Sequence, residues 1–181
     1  METWEWIAIA AAIVVAVLFL LALGMSLLRR RRRSHLKERF GPEYDRAVSS
    51  SGQRDAEKHL TQVEQQHHDL EIRALPSTTR DRYLDEWRQA ESRFVSDPGD
   101  AVRAADRIVL RVIEERGYPT DGDLDNRTAH VAADYPEAVS RYRHAHEMVS
   151  EADQSTESLR KAMVDLRVVF EELLERERAT V

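Results

Sequence analysis

Residues Ile7–Leu28 run for twenty-two positions without a charged side chain and stop against five consecutive arginines, Arg29–Arg33. As a helix rising about 1.5 Å per residue the run would be roughly 33 Å long, which suits a hydrocarbon core of about 30 Å. A cleaved secretory signal would begin basic and end in small residues, whereas Glu2 and Glu5 precede this run and arginines follow it. The pattern predicts a single transmembrane helix. Lys and Arg near a span mark its cytoplasmic side, so the expected arrangement is Met1 outside and residues 34–181 inside, at the plasma membrane. Trp4 and Trp6 suit the outer interface. The arginines also suit contact with anionic lipid: Arg29, Arg30, Arg31, Arg32 and Arg33 are the expected lipid-facing cations.

Charge argues against nucleic acid as the partner. Setting aside Arg29–Arg33, Glu2 and Glu5 leaves 22 basic and 31 acidic residues, a net charge of −9 that repels phosphate backbones. Within the span Ala8, Ala12 and Ala16 recur every fourth residue, a small-residue stripe that would let two copies approach closely as a homodimer; the plainer reading is alanine as filler in a membrane helix. The chain has no cysteine, which removes disulfides, thiolate metal sites and cysteine nucleophiles together.

The 148 residues after Arg33 suffice for one domain with a real core. Their hydrophobic period is helical and alternating β-branched runs are nearly absent, so the fold class expected is all-α: one transmembrane helix followed by an acidic helical bundle. The expected boundaries are 1–6 for an external N-terminus, 7–28 for the span, 29–52 for a basic juxtamembrane segment and 53–181 for the bundle. Pro42, Pro98 and Pro136 follow turn or cap residues and predict helix starts near each.

Leu36, Phe40, Tyr44 and Val48 predict short amphipathic turns leaving the bilayer and packing on the bundle or on lipid. From about Gln53 to Ile72, residues Ala56, Leu60, Val63, His67 and Leu70 form the narrow stripe of one bundle helix. Tyr83, Trp87, Ala90 and Phe94 form an aromatic stripe, and Val102, Ala105, Ile108, Val109, Val112 and Ile113 a broader apolar face. Gly117 suits a C-terminal cap with Tyr118-Pro119 blocking continuation, so residues 117–126 are the expected loop. Val139, Tyr142, His146 and Val149 follow Pro136, and Ser155-Thr156 opens a last helix with Leu159, Met163, Leu166, Phe170, Leu173 and Leu174 inward.

Chemistry is sparse. The glycines are isolated, so no loop can cradle a nucleotide phosphate, and neither a nucleophile elbow nor a zinc-protease helix motif occurs. His67-His68 and His144/His146 lack the four-residue spacing that makes a local metal site. His67 and His146 fall on apolar stripes as hydrogen-bonded core residues, and His68 and His144 should face solvent. No catalytic residue, cofactor or metal ligand is assigned.

The segment Arg39-Phe40-Gly41-Pro42-Glu43-Tyr44-Asp45-Arg46 resembles a group of bacterial, largely actinobacterial, single-pass membrane proteins of uncharacterised activity. Arg93-Phe94-Val95 with Asp97-Pro98, Arg116-Gly117-Tyr118-Pro119, and Leu159–Met163 with Phe170–Leu174 fit the same group. The resemblance implies a bacterial membrane protein with a helical domain and brings no functional residue. Locally the motif reads as a turn, and its sharper reading makes Phe40, Glu43, Tyr44 and Asp45 a patch for a protein partner at the inner membrane face. A non-enzymatic, membrane-tethered interaction module is the expected function; the alternative is a ligand or metal sensor using the histidines or the 117–126 loop.

Overall fold

The computed structural model describes residues 3–150 and 155–175, with side chains described at 16–149 and 155–175. Among the described residues there are eight helices and no strand: α1 Thr3–Phe40, α2 Pro42–Ser51, α3 Gln53–His68, α4 Ser77–Arg93, α5 Pro98–Glu115, α6 Leu124–Ala132, α7 Pro136–Ser150 and α8 Thr156–Glu175. The fold is all-α. Among the described residues no helix is long and apolar enough to cross a membrane. The side chains of Ile7–Val15, which open the apolar run and include Ala8 and Ala12, lie outside the described residues, as do those of Trp4 and Trp6.

Prolines start α2, α5 and α7, as their positions predict. Asp97 caps α5 by accepting from Asp100 N at 2.9 Å, and Ser155 caps α8 by accepting from Ser158 N at 3.1 Å. Two expectations need correction. The helix from Gln53 stops at His68, after which the chain turns so that Ile72 and Leu75 still reach the core while Arg73 N donates to Arg116 O at 3.0 Å. The loop expected over 117–126 ends early, because Asp123 accepts from Asn126 N at 2.9 Å and thereby opens α6 at Leu124.

The core is one contiguous cluster. α7 and α8 form a hairpin, α5 lies along α8, and α4 packs outside α5. Trp87 of α4 reaches α8 and stacks on Phe170 with ring centroids 4.5 Å apart. α2 packs on α3 and α7, and α6 closes the gap between α7 and α3. Gly117 turns the chain at φ 95 between α5 and α6, where a Cβ would lie 2.6 Å from the Glu71 carbonyl oxygen.

α1 does not stop at the arginines. It continues as one helix to Phe40, and its last turns bury Leu36 and Phe40 completely in the bundle core. Packing on the bundle, rather than on lipid, is therefore the outcome for Leu36, Phe40 and Tyr44. Above them the apolar side chains from Val17 to Leu28 stand exposed around the helix, Phe19 at 67% and Leu28 at 67%.

Candidate functional site

Gly41 breaks the helix between Phe40 and Pro42 with φ 50, and a Cβ there would sit 3.1 Å from Pro136 Cβ. The break turns α2 back against α1, and Glu43 then faces inward. Its carboxylate receives Arg143 of α7 in a two-pronged bond, Nε to Oε2 and Nη2 to Oε1, both 2.9 Å. The same guanidinium donates to Asp125 Oδ1 at 2.6 Å and to Thr128 Oγ1 at 2.5 Å, while Arg46 bonds both Glu43 and Asp125. Burial works against the charge on Asp125, yet Arg143 and Arg46 hold its carboxyl below the usual carboxylate range. This network joins α2, α6 and α7.

The partner patch read from the motif is corrected by this packing. Phe40, Glu43 and Tyr44 are buried, engaged with the core, with Arg143 and with Glu57 respectively; Tyr44 donates to Glu57 at 3.0 Å. Asp45 alone is on the surface, paired with Lys37 at 3.1 Å. The motif builds a corner of the fold.

The four histidines singled out in the sequence, His67, His68, His144 and His146, each lie near a carboxylate. His67 Nε2 lies 2.9 Å from Asp134 Oδ2, which also accepts from the Tyr118 hydroxyl at 2.6 Å. Burial and the Asp134 charge both push the Tyr118 phenol upward. His146 Nε2 lies 3.0 Å from Asp106 Oδ1, which accepts from Tyr142 at 2.8 Å. His67 is buried and His146 half-buried; His68 and His144 are exposed, with His144 on Asp165 at 2.7 Å. Among the described residues no group of three or more His, Asp or Glu is arranged to hold a metal ion. The carboxylate partners Asp134 and Asp106 were invisible in the sequence because tertiary packing brings them from other helices.

Two surface features remain. Between α4 and α5 an open groove of about 480 Å³ has Ala90, Ala104, Ile108 and Leu110 in its lining and Arg93, Arg107 and Arg111 with Glu86 around them. Arg111 is paired with Glu86. Elsewhere on the surface Arg29, Arg30, Arg32 and Arg33 face the start of α3 across a wider cleft that also takes in Arg54 and Lys58. Reading α1 as a lipid anchor alone missed the second wall; the four-residue spacing of Arg54 and Lys58, which puts both on one helix face, was the signal for it.

No family model, no curated protein and no solved structure matches the chain. The comparisons add no residue assignment to the geometry above.

Proposed function

We propose that the chain is a single-pass membrane protein whose acidic helical bundle is an interaction module, without a catalytic role, held at the inner face of the plasma membrane. The observation that carries this reading is the bare apolar surface of α1. From Val17 to Leu28 the helix is uncharged, apolar at every position but Ser26 and exposed at every position but the half-buried Gly24. Helices apolar all round are stable when buried, and lipid supplies that burial here. In the sequence the charge-free run begins at Ile7, which gives it a spanning length, and Arg29–Arg33 orient it.

Because α1 passes unbroken into the core, the bundle would be mounted on the anchor through a helix rather than a flexible linker. The α4–α5 groove is the surface offered for a protein partner. Its apolar lining with Arg93, Arg107 and Arg111 suits a partner helix with acidic residues flanking an apolar stripe.

The test uses the absence of cysteine. Thr3→Cys and Ser51→Cys are introduced singly, and intact cells are treated with a membrane-impermeant thiol reagent. Labelling at Thr3→Cys alone supports the topology, whereas labelling at Ser51→Cys overturns it. For the groove, a photocrosslinker at Gln89 should trap one acidic partner, and Arg107→Glu should abolish the adduct; an adduct unchanged by Arg107→Glu rejects this surface.

A further inference from the structure

The contacts between α1 and α3 define a register. Arg32 Nη2 donates to Thr61 Oγ1 at 2.6 Å and His35 Nε2 lies 2.7 Å from Glu64 Oε1, so both pairs are separated by 29 positions and the two helices run in the same direction. With equal rise per residue on each helix, that offset places Lys58 level with Arg29 and Arg54 level with Met25. The N-terminus of α3 therefore points back toward the apolar end of α1, at the level where a bilayer's headgroups would begin.

Past Arg32 the helices part. Between them lies an open cleft of about 1130 Å³ lined by Arg29, Arg30, Arg32, Arg33, Arg54 and Lys58, with Gln53, Asp55 and Glu57. Six cations against two carboxylates leave this cleft at +4, in a chain whose net charge is −6. Glu57 is already engaged, accepting from Tyr44 at 3.0 Å and from Gln53 at 2.8 Å. Arg29, Arg30, Arg54 and Lys58 have no carboxylate partner among the described residues. The start of α3 adds to this field: Gln53, Arg54 and Asp55 line the cleft and Gly52 offers no side-chain cap, so the positive end of the helix dipole lies at its edge. Cations on both walls repel one another weakly through solvent, and an anion in the gap relieves that repulsion.

We propose that this cleft binds a phosphate anion, supplied in the membrane by the headgroup of an anionic phospholipid, with Arg54, Lys58 and the α3 N-terminus opposite the Arg29–Arg33 run. The lipid arm of this proposal rests on the tether reading above. Arg29–Arg33 by themselves would attract any negative surface without fixing the bundle's angle to it. A headgroup gripped from both walls sets that angle, because α3 is laced to α1 by Arg32–Thr61, His35–Glu64 and Arg39–Glu64.

The full chain is reconstituted in nanodiscs of phosphatidylcholine with and without phosphatidylglycerol, and hydrogen–deuterium exchange is read over residues 53–60. Phosphatidylglycerol should slow exchange there. Arg54→Gln/Lys58→Gln should weaken that protection about thirtyfold, roughly fivefold for each cation removed near an anionic surface. Both residues are exposed, and the variant's melting temperature in neutral discs checks the fold. A parallel titration of the detergent-solubilised chain with pyrophosphate separates the sources: protection by phosphatidylglycerol alone assigns a lipid headgroup, and protection by pyrophosphate as well assigns a soluble phosphate. Exchange that neither anion changes overturns the site. Extraction of the chain from membranes by alkaline carbonate would remove the tether, and the pyrophosphate titration would then still decide the cleft.

Discussion

Replacing Arg143 by Met removes every bond that holds Glu43 from α7. The wild-type guanidinium makes four hydrogen bonds, two to Glu43 at 2.9 Å, one to Asp125 at 2.6 Å and one to Thr128 at 2.5 Å. Arg143 is 7% exposed and Glu43 6%, so solvent cannot take over. Glu43 would keep only Arg46, at 3.1 Å and from a partly exposed side chain. Stranding one member of a buried pair costs about 3–5 kcal/mol, whereas replacing both with apolar residues of similar size is often close to neutral. Arg143→Met should therefore lower Tm by about 10 °C for a domain of this size. Glu43→Met/Arg143→Met should recover part of that loss, giving a coupling of about 2 kcal/mol in the double-mutant cycle. The assay is thermal unfolding of the full chain in mild detergent, followed by the fluorescence of Trp87 in a Trp4→Phe/Trp6→Phe background. A loss under about 1 kcal/mol for Arg143→Met, against the 3–5 kcal/mol expected of a broken buried pair, would refute the network's structural role.

Three further outcomes are expected. Gly117→Ala should cost distinctly more than Gly52→Ala: both have positive φ, worth about 1–2 kcal/mol to a side chain, but only at Gly117 does the new Cβ meet a backbone oxygen; equal losses in urea titrations would reject the close approach as the cause. Stability should fall on acidification in two steps. Burial, with His67 and His59 nearby, lowers the His130 pKa from 6.5, so the unfolded chain binds a proton first and stability declines as pH falls below 6.5. Asp106, Asp125 and Asp134 are held below their ordinary value of 3.8 against the opposing effect of burial, so their contribution is present above 3.8 and is lost as pH falls through their lowered values. His130→Leu should flatten the upper step in Tm against pH and leave the lower one; an unchanged upper step would assign it elsewhere. Asp123→Ala should cost about 1 kcal/mol by uncapping α6 and speed hydrogen exchange over 124–132, the segment that carries Asp125 and Thr128 to Arg143; exchange unchanged there would show that the cap does not hold α6.

Local signals in the chain determined the helices and their inward faces. Pro42, Pro98 and Pro136 sit at helix starts because a proline lacks an N–H that the first turn leaves unpaired anyway, and Leu159, Met163, Leu166, Phe170, Leu173 and Leu174 turn inward because their spacing matches 3.6 residues per turn. His67 was legible as a hydrogen-bonded core residue for the same reason, since it shares a face with Leu60 and Val63. The sequence could not show which carboxylate meets which cation. Glu43 and Arg143 are 100 positions apart, and Phe40-Gly41-Pro42-Glu43-Tyr44-Asp45 reads equally well as a surface patch until α7 is placed against it. Nor could it show that α1 and α3 run side by side in the same direction, which makes Arg54 and Lys58 the opposite wall of the Arg29–Arg33 cleft. Helix periodicity and caps depend on neighbours within four residues, whereas charge pairing and cleft formation depend on how separate helices dock, a balance of packing across the whole core that only the tertiary structure decides.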